Sequence, residues 1–340
     1  MKTVLITGSA GFIGHHLVRY LLEKTKWDII CLDRLDYSGD INRLHEILED
    51  LPLETKKRVK IVYHDLKAYI NPLVSDRIGK VDFILHLAAG SHVDRSIEYP
   101  MEFINDNIMG TANLLEYART LEELELFVYF STDEVFGPAP EGIKYKENDR
   151  YNSTNPYSAT KAAAEELVVA YHNTYKLPAI ITHTMNVFGE RQHPEKYIPK
   201  CISNILQGSV LTIHSNAEKT KAGSRHYIHA RDVSDAVYFL CENAKYFKPE
   251  LDFGGAKCQK YNIVGPTELD NLELANLIAK IVGRDLKYKL VDFHSSRPGH
   301  DLRYALSGEK LKSLGWVPRT IEETLKETVE WTLKNKRWLV

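Results

Sequence analysis

A tyrosine and a lysine stand four residues apart in Tyr157-Ser-Ala-Thr-Lys161. Apolar positions recur at helical spacing over residues 156–175, so the two side chains are neighbours on one helix face. A nearby ammonium favours a phenolate, which lets a tyrosine act as a base well below its ordinary pKa of about 10. The same spacing occurs in Tyr20-Leu-Leu-Glu-Lys24, but no hydroxyl or acid is delivered to that pair, and it reads as surface. Tyr157 differs. Upstream of it the apolar strand at 126–130 runs into Ser131-Thr132-Asp133-Glu134, which puts hydroxyls and two adjacent carboxyls where a substrate would sit. A carboxyl pair can supply both an acid and a base.

The elements that position these groups begin at the N-terminus. Val4-Leu5-Ile6 reads as a buried strand, and it gives way to Gly8, Gly11 and Gly14 before a helical pattern opens at Phe12 and Ile13. Glycines there let backbone N–H groups approach a pyrophosphate, and the helix N-terminus favours its charge. Packing of strand on helix is the other reading of the same glycines. A second strand, 28–32, ends in Asp33, where an acid accepts the ribose hydroxyls of NAD and repels the 2′-phosphate of NADP, or simply ends the strand. NAD is the expected cofactor. The strand at 59–63 leads into His64-Asp65-Leu66, and Asp65 either holds an adenine amino group or caps the next helix. The strand at 81–87, ending in Leu87, leads into Ala88-Ala89-Gly90, small enough for the backbone to lie against ribose or phosphate. A helix at about 101–120 carries Asn107, Gly110 and Thr111 early. Strand and helix alternate throughout, which specifies an α/β, Rossmann-like, doubly wound parallel sheet.

Composition narrows the rest. The chain has 340 residues, 44% hydrophobic, enough for one large or two modest cores, with no window approaching the roughly eighteen apolar residues of a membrane span. No membrane partner is expected. The N-terminus enters a strand without a basic and then apolar leader, and Cys31, Cys201, Cys241 and Cys258 form no Cys-x-x-Cys, so a reducing cytoplasm is expected. A net charge of −2 with mixed signs argues against a nucleic-acid partner. The fourteen histidines include no His-Glu-x-x-His, and no metal is expected. Residues 138–155 read as a loop, 180–181 as a sixth strand, and helices follow near 196–207, 231–242, 271–282 and 321–334. Two domains are expected: 1–183 for the dinucleotide, with a returning segment near 225–245, and a smaller α/β domain, 184–340, for substrate.

The glycine run, Asp33, Asn107, Ser131-Thr132 and Tyr157 with Lys161 resemble the extended short-chain dehydrogenase/reductase family, nearly end to end. Within it the chain is similar to nucleotide-sugar 4,6-dehydratases of the dTDP-glucose type. That likeness rests on Ser91-His92-Val93-Asp94-Arg95-Ser96, Ser131-Thr132-Asp133-Glu134-Val135, Pro194-Glu195-Lys196-Tyr197-Ile198-Pro199 and Arg297-Pro298-Gly299-His300-Asp301. The resemblance implies that Tyr157, supported by Lys161, removes the C4 hydroxyl proton as hydride passes to NAD, and that Thr132 hydrogen-bonds the C4 oxygen. Glu134 then takes the C5 proton, Asp133 protonates the leaving C6 hydroxyl, and the hydride returns to C6. It implies cofactor contacts at Gly8, Gly11, Phe12, Ile13, Gly14, Asp33, Asp65, Leu66, Leu87, Ala88, Ala89 and Asn107. It implies nucleotide-sugar contacts at Ser91, Asn186, Glu195, Lys196, Arg225, Asn262, Arg297 and His300. A homodimer is also implied, paired through helices 101–120 and 161–175, with Leu114, Leu115, Leu167 and Val168 numerous enough to cover both sheet and partner.

The sequence departs from the dTDP-glucose pattern at Gly90, Phe136 and Val187, and more seriously at Thr212-Ile213-His214, where the family has a proline and an aromatic that packs on the base. The loop at 215–224 is longer than usual. The expected activity is NAD-dependent 4,6-dehydration of a nucleoside-diphosphate hexose, with dTDP-glucose first and UDP-, CDP- or GDP-sugars behind it. A 4-epimerase or a sugar decarboxylase would keep Tyr157 and Lys161 without needing the carboxyl pair. A non-catalytic NAD-binding sensor usually loses one of those two residues.

Overall fold

In the computed structural model, which describes residues 1–247, 250–252, 255–292 and 302–340, the apolar run Val4-Leu5-Ile6 is fully buried in β1 (Thr3–Thr7). The chain continues through α1 (Phe12–Lys24), β2 (Asp28–Asp33), α2 (Ile41–Glu49), β3 (Val59–Tyr63), α3 (Pro72–Ile78) and β4 (Phe83–His86). It then passes α4 (Gly110–Ala118), β5 (Leu126–Thr132), α5 (Pro156–Tyr175) and β6 (Ala179–Thr184). One seven-stranded sheet runs in the order Gln259–Ile263, β6, β5, β4, β1, β2, β3. The pairs from β3 through β5 are parallel. Strand order reverses between β1 and β4, the switch point where open α/β sheets bind ligands.

Two compact units divide the chain. The first comprises Met1–Val135, Asn155–His183 and Ser234–Tyr261. Its core sets Leu5, Ile30, Ile84, Phe127 and Ile181 of the sheet against Leu114 and Leu115 of α4 and Val168 of α5. Full burial of each such side chain stabilises by about 1.5–3 kcal/mol. Leu114, Leu115 and Val168, expected to face a partner as well, are 0% exposed and belong to this core; Leu167 is only partly buried. Exposed apolar side chains lie instead at Ile97, Tyr99, Met101 and Met109. The segment returning to this unit starts later than the expected 225–245 and runs to Tyr261, adding a strand the sequence reading lacked. Tyr20, expected at the surface, is 7% exposed and donates a hydrogen bond to Asp235 from that returning segment.

The expected helix at 101–120 is a composite: Pro100–Phe103, a wider π-type turn at Ile104–Met109, and α4. Such single π-turns are frequent at functional sites, and this one carries Asn107.

The second unit comprises Phe136–Thr154, Thr184–Val233 and Asn262–Val340. Its elements include β7 (Asn186–Phe188), α6 (Tyr197–Gln207), β8 (Leu211–Ser215), β9 (Ser224–His229), β10 (Glu268–Asp270), α7 (Asn271–Val282), β11 (Tyr288–Asp292) and α8 (Ile321–Lys334). β9 pairs with β7 in parallel and with β10 antiparallel, and β8 pairs with β11. Ile198, Ile202, Leu274, Ile278, Leu325 and Val329 join α6, α7 and α8 in one core.

Candidate active site

The glycine turn is built for close approach. Gly8 has φ +69°, and a Cβ on it would lie 2.8 Å from Ala88 N, across the switch point. A Cβ on Gly14 would lie 2.2 Å from Gly8 O. Gly11 caps α1 without a side-chain hydrogen bond, so the first-turn amides beside Phe12 and Ile13 have no side-chain cap, as an anion seat requires. Asp33, 8% exposed at the end of β2, accepts from Ala10 N–H and Leu35 N–H, both at 2.9 Å. Burial raises its pKa and those N–H groups oppose the rise. Beyond it a cavity of about 600 Å³ is lined by Arg34, Asp36, Tyr63, Asp65, Lys67 and Asp106. Arg34 grips Asp106 through two hydrogen bonds, 2.6 and 2.7 Å long. Asp65 takes the Lys67 N–H at 2.9 Å; it does not cap the next helix, α3, whose cap is Asn71. These residues fit a dinucleotide: a bare phosphate seat, an acid at the ribose position and a polar cavity.

Leu87, Ala88 and Ala89 follow β4 half-buried, while Leu66 is 7% exposed. Asn107 is 1% exposed. Its amide donates to Gly90 O and Thr160 Oγ1, and its oxygen accepts from Gly90 N. In this structure it therefore ties the Gly90 backbone to α5 and has no amide hydrogen left for a ligand. The Phe103 ring fills the space beside Gly90 and stands edge-on to Tyr157, 6.4 Å between centroids.

α5 opens on a capping box, in which Asn155 Oδ1 accepts from Ser158 N and Ser158 Oγ is returned to the Asn155 backbone. That cap sets Tyr157 in the first turn, 8% exposed, with its N–H on Ser96 Oγ. The phenol faces the Thr132 hydroxyl, Glu134 and Asp133. Thr132 Oγ1 donates to Asp133 Oδ1 at 3.1 Å, and Asn155 Nδ2 donates to Glu134 Oε2 at 3.1 Å. β5 thus runs past the apolar stretch to Thr132, and the two acids form the first turn of a short 3₁₀ helix, Asp133–Phe136. Thr132, Asp133, Glu134 and Tyr157 meet in one corner.

The expectation that Lys161 draws the Tyr157 pKa downward is not met here. Burial, and next the Glu134 charge, push the phenol above its ordinary range. Lys161, 3% exposed, donates to Phe130 O at 2.6 Å and lies 4.2 Å over the Tyr129 ring. Burial lowers its ammonium to about 7, against the pull of Glu165.

The remaining expected residues are scattered. Ser91 is exposed after β4. In the second unit Asn186 is exposed at the start of β7, and Glu195 and Lys196 are exposed just before α6. Arg225 donates to Ser224 O and Leu302 O and stacks 4.6 Å over Tyr304. Asn262 departs from its expected role as a substrate contact: it is 0% exposed and gives its amide hydrogens to Tyr145 O and Ser307 O. Arg297 and His300 lie outside the described residues. Glu165 was missed by the sequence reading, although its spacing of four from Lys161 was a signal. Among the described residues no cluster suits a metal ion, and no helix is long and apolar enough to cross a membrane.

A doubly wound sheet with a glycine turn at its switch point and a Tyr-x-x-x-Lys helix beside the β5 hydroxyls defines the extended short-chain dehydrogenase/reductase class. Residues 5–328 match the family model for GDP-mannose 4,6-dehydratase. The chain belongs to this family. It is 36% identical to dTDP-glucose 4,6-dehydratase of Escherichia coli, over 98% of this chain and 94% of that one. It is 37% identical to a trifunctional UDP-glucose 4,6-dehydratase of Arabidopsis thaliana, over 99% of this chain but 48% of that one. Among solved structures it is similar to a dTDP-glucose 4,6-dehydratase from Streptomyces venezuelae with NAD bound, with TM-score 0.84, 33% identity and coverage of 99% and 98%.

Proposed function

We propose that this chain dehydrates a nucleoside-diphosphate hexose to its 4-keto-6-deoxy sugar, with NAD as resident cofactor. The observation that carries this reading is the corner in which the Tyr157 phenol meets Thr132 beside Asp133 and Glu134. Gly8, Gly11, Gly14 and Asp33 would hold NAD, which when bound takes a hydride from C4 and gives it back at C6. Tyr157 accepts the C4 hydroxyl proton, and Thr132 donates to the C4 oxygen. A C4 ketone acidifies the C5 proton; Glu134, as carboxylate, removes it, and Asp133, in its protonated form, gives its proton to the C6 hydroxyl, which departs as water. Each proton transfer is worth about 10²–10⁴ in rate.

The first unit would carry the cofactor and the second the nucleotide sugar, through Arg225, Lys196, Arg297 and His300. Guanidinium groups suit this because their planar fork matches phosphate oxygens. The nucleotide is dTDP in the first instance and UDP in the second, a choice that the Thr212-Ile213-His214 stretch leaves to the assay. A homodimer and a cytoplasmic location complete the proposal. Four free, buried cysteines suit a reducing compartment.

Incubation of the purified protein with dTDP-, UDP-, CDP- and GDP-hexoses, followed by mass spectrometry, tests the reaction. One sugar should lose water without net consumption of NAD, and denatured protein should release NAD rather than NADP. Interconversion at C4 with no loss of water would replace this reading by an epimerase.

A further inference from the structure

One turn beyond Lys161 on α5, Glu165 is 0% exposed. It accepts a hydrogen bond from Ser131 Oγ at the end of β5, with His183 Nε2 of β6 at 3.2 Å and Lys260 Nζ at 3.4 Å from its Oε2. Four elements of the first unit converge on one carboxylate. None of the proposed proton transfers uses it, and an isolated buried carboxylate is costly unless paired. Burial alone would raise its pKa, yet His183, Lys260 and Ser131 hold it down at about 2. Ser131 immediately precedes Thr132 in a strand, so fixing its hydroxyl on one face fixes the direction of Thr132 on the other. Lys161, four residues before Glu165, is its neighbour on the helix.

We propose that Glu165 is a positioning residue for the oxidation step, a fixed buried anion that supplies the counter-charge for Lys161 and holds the Ser131–Thr132 end of β5 in place. The oxidation role rests on the proposed dehydration; the charge pairing does not. Lys161 is otherwise surrounded by the Phe130 carbonyl and Tyr129 ring of β5 and by His86 of β4, whose imidazole that ammonium helps keep neutral. Glu165 in turn is faced by Tyr129 from β5 and by Cys258 as well as Lys260 from the returning segment. It is the one anion acting on Lys161 in this set.

The test uses the full chain with lysine side chains labelled with ¹⁵N, and the Lys161 ammonium assigned by its loss in Lys161→Met. Glu165→Gln should lower the pH at which Lys161 titrates by about one unit or more, the scale of a unit charge one helical turn away in a partly screened interior. Glu165→Asp should recover most of that shift. Lys260→Gln removes the outer cation and leaves the anion, so it should move Lys161 the opposite way; it serves alone if the Glu165→Gln protein does not fold. In single-turnover NADH formation the alkaline limb of the pH profile should follow the same shifts. An unmoved Lys161 in Glu165→Gln, or shifts of one sign in both variants, would overturn the proposal, because damage to packing has no reason to alternate with charge. A protein that dehydrates no nucleotide sugar yet shows both shifts loses the reaction and keeps the charge pairing.

Discussion

Tyr157 is surrounded by groups that oppose its ionisation: an apolar wall from Phe103 and Val93, and the charge of Glu134. The carboxylate that takes the C5 proton in elimination therefore hinders the oxidation that precedes it. Replacing Tyr157 by Phe removes the C4 base, so neither NADH nor dehydrated sugar should form at an appreciable rate. Asp133→Asn with Glu134→Gln keeps shape and most hydrogen bonds but removes both later proton transfers. At about 10²–10⁴ for each role, elimination should slow by about 3–5 kcal/mol of barrier per residue, while oxidation persists. NADH absorbance and a 4-keto sugar should accumulate. The sign of the pH effect follows from the charges. Glu134 raises the Tyr157 pKa, so its neutralisation should move the rising limb of NADH formation to lower pH. A double variant that releases dehydrated product at the wild-type rate would leave the carboxyls without a chemical role.

Elements carry the next set of constraints. β1, β2, α5, α7 and α8 were legible in the sequence because each has a clean apolar run or helical period, the helices bounded by a cap such as Asn155 for α5 and Asp270 for α7. The strand Gln259–Ile263 was not, since Gln259 and Lys260 break its apolar run and its pairing with β6 is long-range. The π-turn at Ile104–Met109 leaves helical periodicity almost intact, so only the folded chain shows how it aims Asn107. Tyr20 was misread for a similar reason, because its partner Asp235 lies far along the chain. Thr132, Asp133, Glu134 and Tyr157 were legible as a set, whereas Glu165, His183 and Lys260 converge only through the fold.

In the second unit, residues 136–154 follow a defined path with almost no regular structure, and Arg303 is one reason. It donates to Pro140 O and Ile143 O while pairing bidentately with Glu268 of β10. Arg303, foremost, holds the Glu268 carboxyl at about 2, below its ordinary 4.5. A depressed folded-state pKa gives stability that is complete above pH 4.5 and disappears as the pH falls toward 2. Because both side chains keep some contact with solvent, the pair is worth about 1–2 kcal/mol after screening. Glu268→Gln should lower stability by that amount at neutral pH in urea unfolding, and the gap from wild type should close between pH 4.5 and pH 2. A gap of equal size at both ends of that range would assign the loss to packing.

For the whole molecule the open quantity is the assembly. The resemblance points to helix pairing around a two-fold axis, yet Leu114, Leu115 and Val168 are already taken up by the core of the first unit. Exposed on those elements are Met101 at 62%, Met109 at 48% and Tyr175 at 51%, with Tyr99 at 46% just before the first of them. Met109 ends the π-turn and Met101 lies in the helical turn that precedes it. Both adapt well to an irregular partner surface, because methionine is unbranched and polarisable. A stable dimer needs about 1,200 Å² or more of total buried surface, with a few central side chains carrying most of the energy. The protein should sediment as a dimer at micromolar concentration, and Met101→Glu with Met109→Glu should shift it toward monomer by desolvating charge at the interface. Neither methionine belongs to the core clusters, so the melting temperature of the first unit should change little beyond the contribution lost with the partner. A wild-type monomer would remove the dimer altogether. A dimer that survives both glutamates would move the interface off the 101–109 surface.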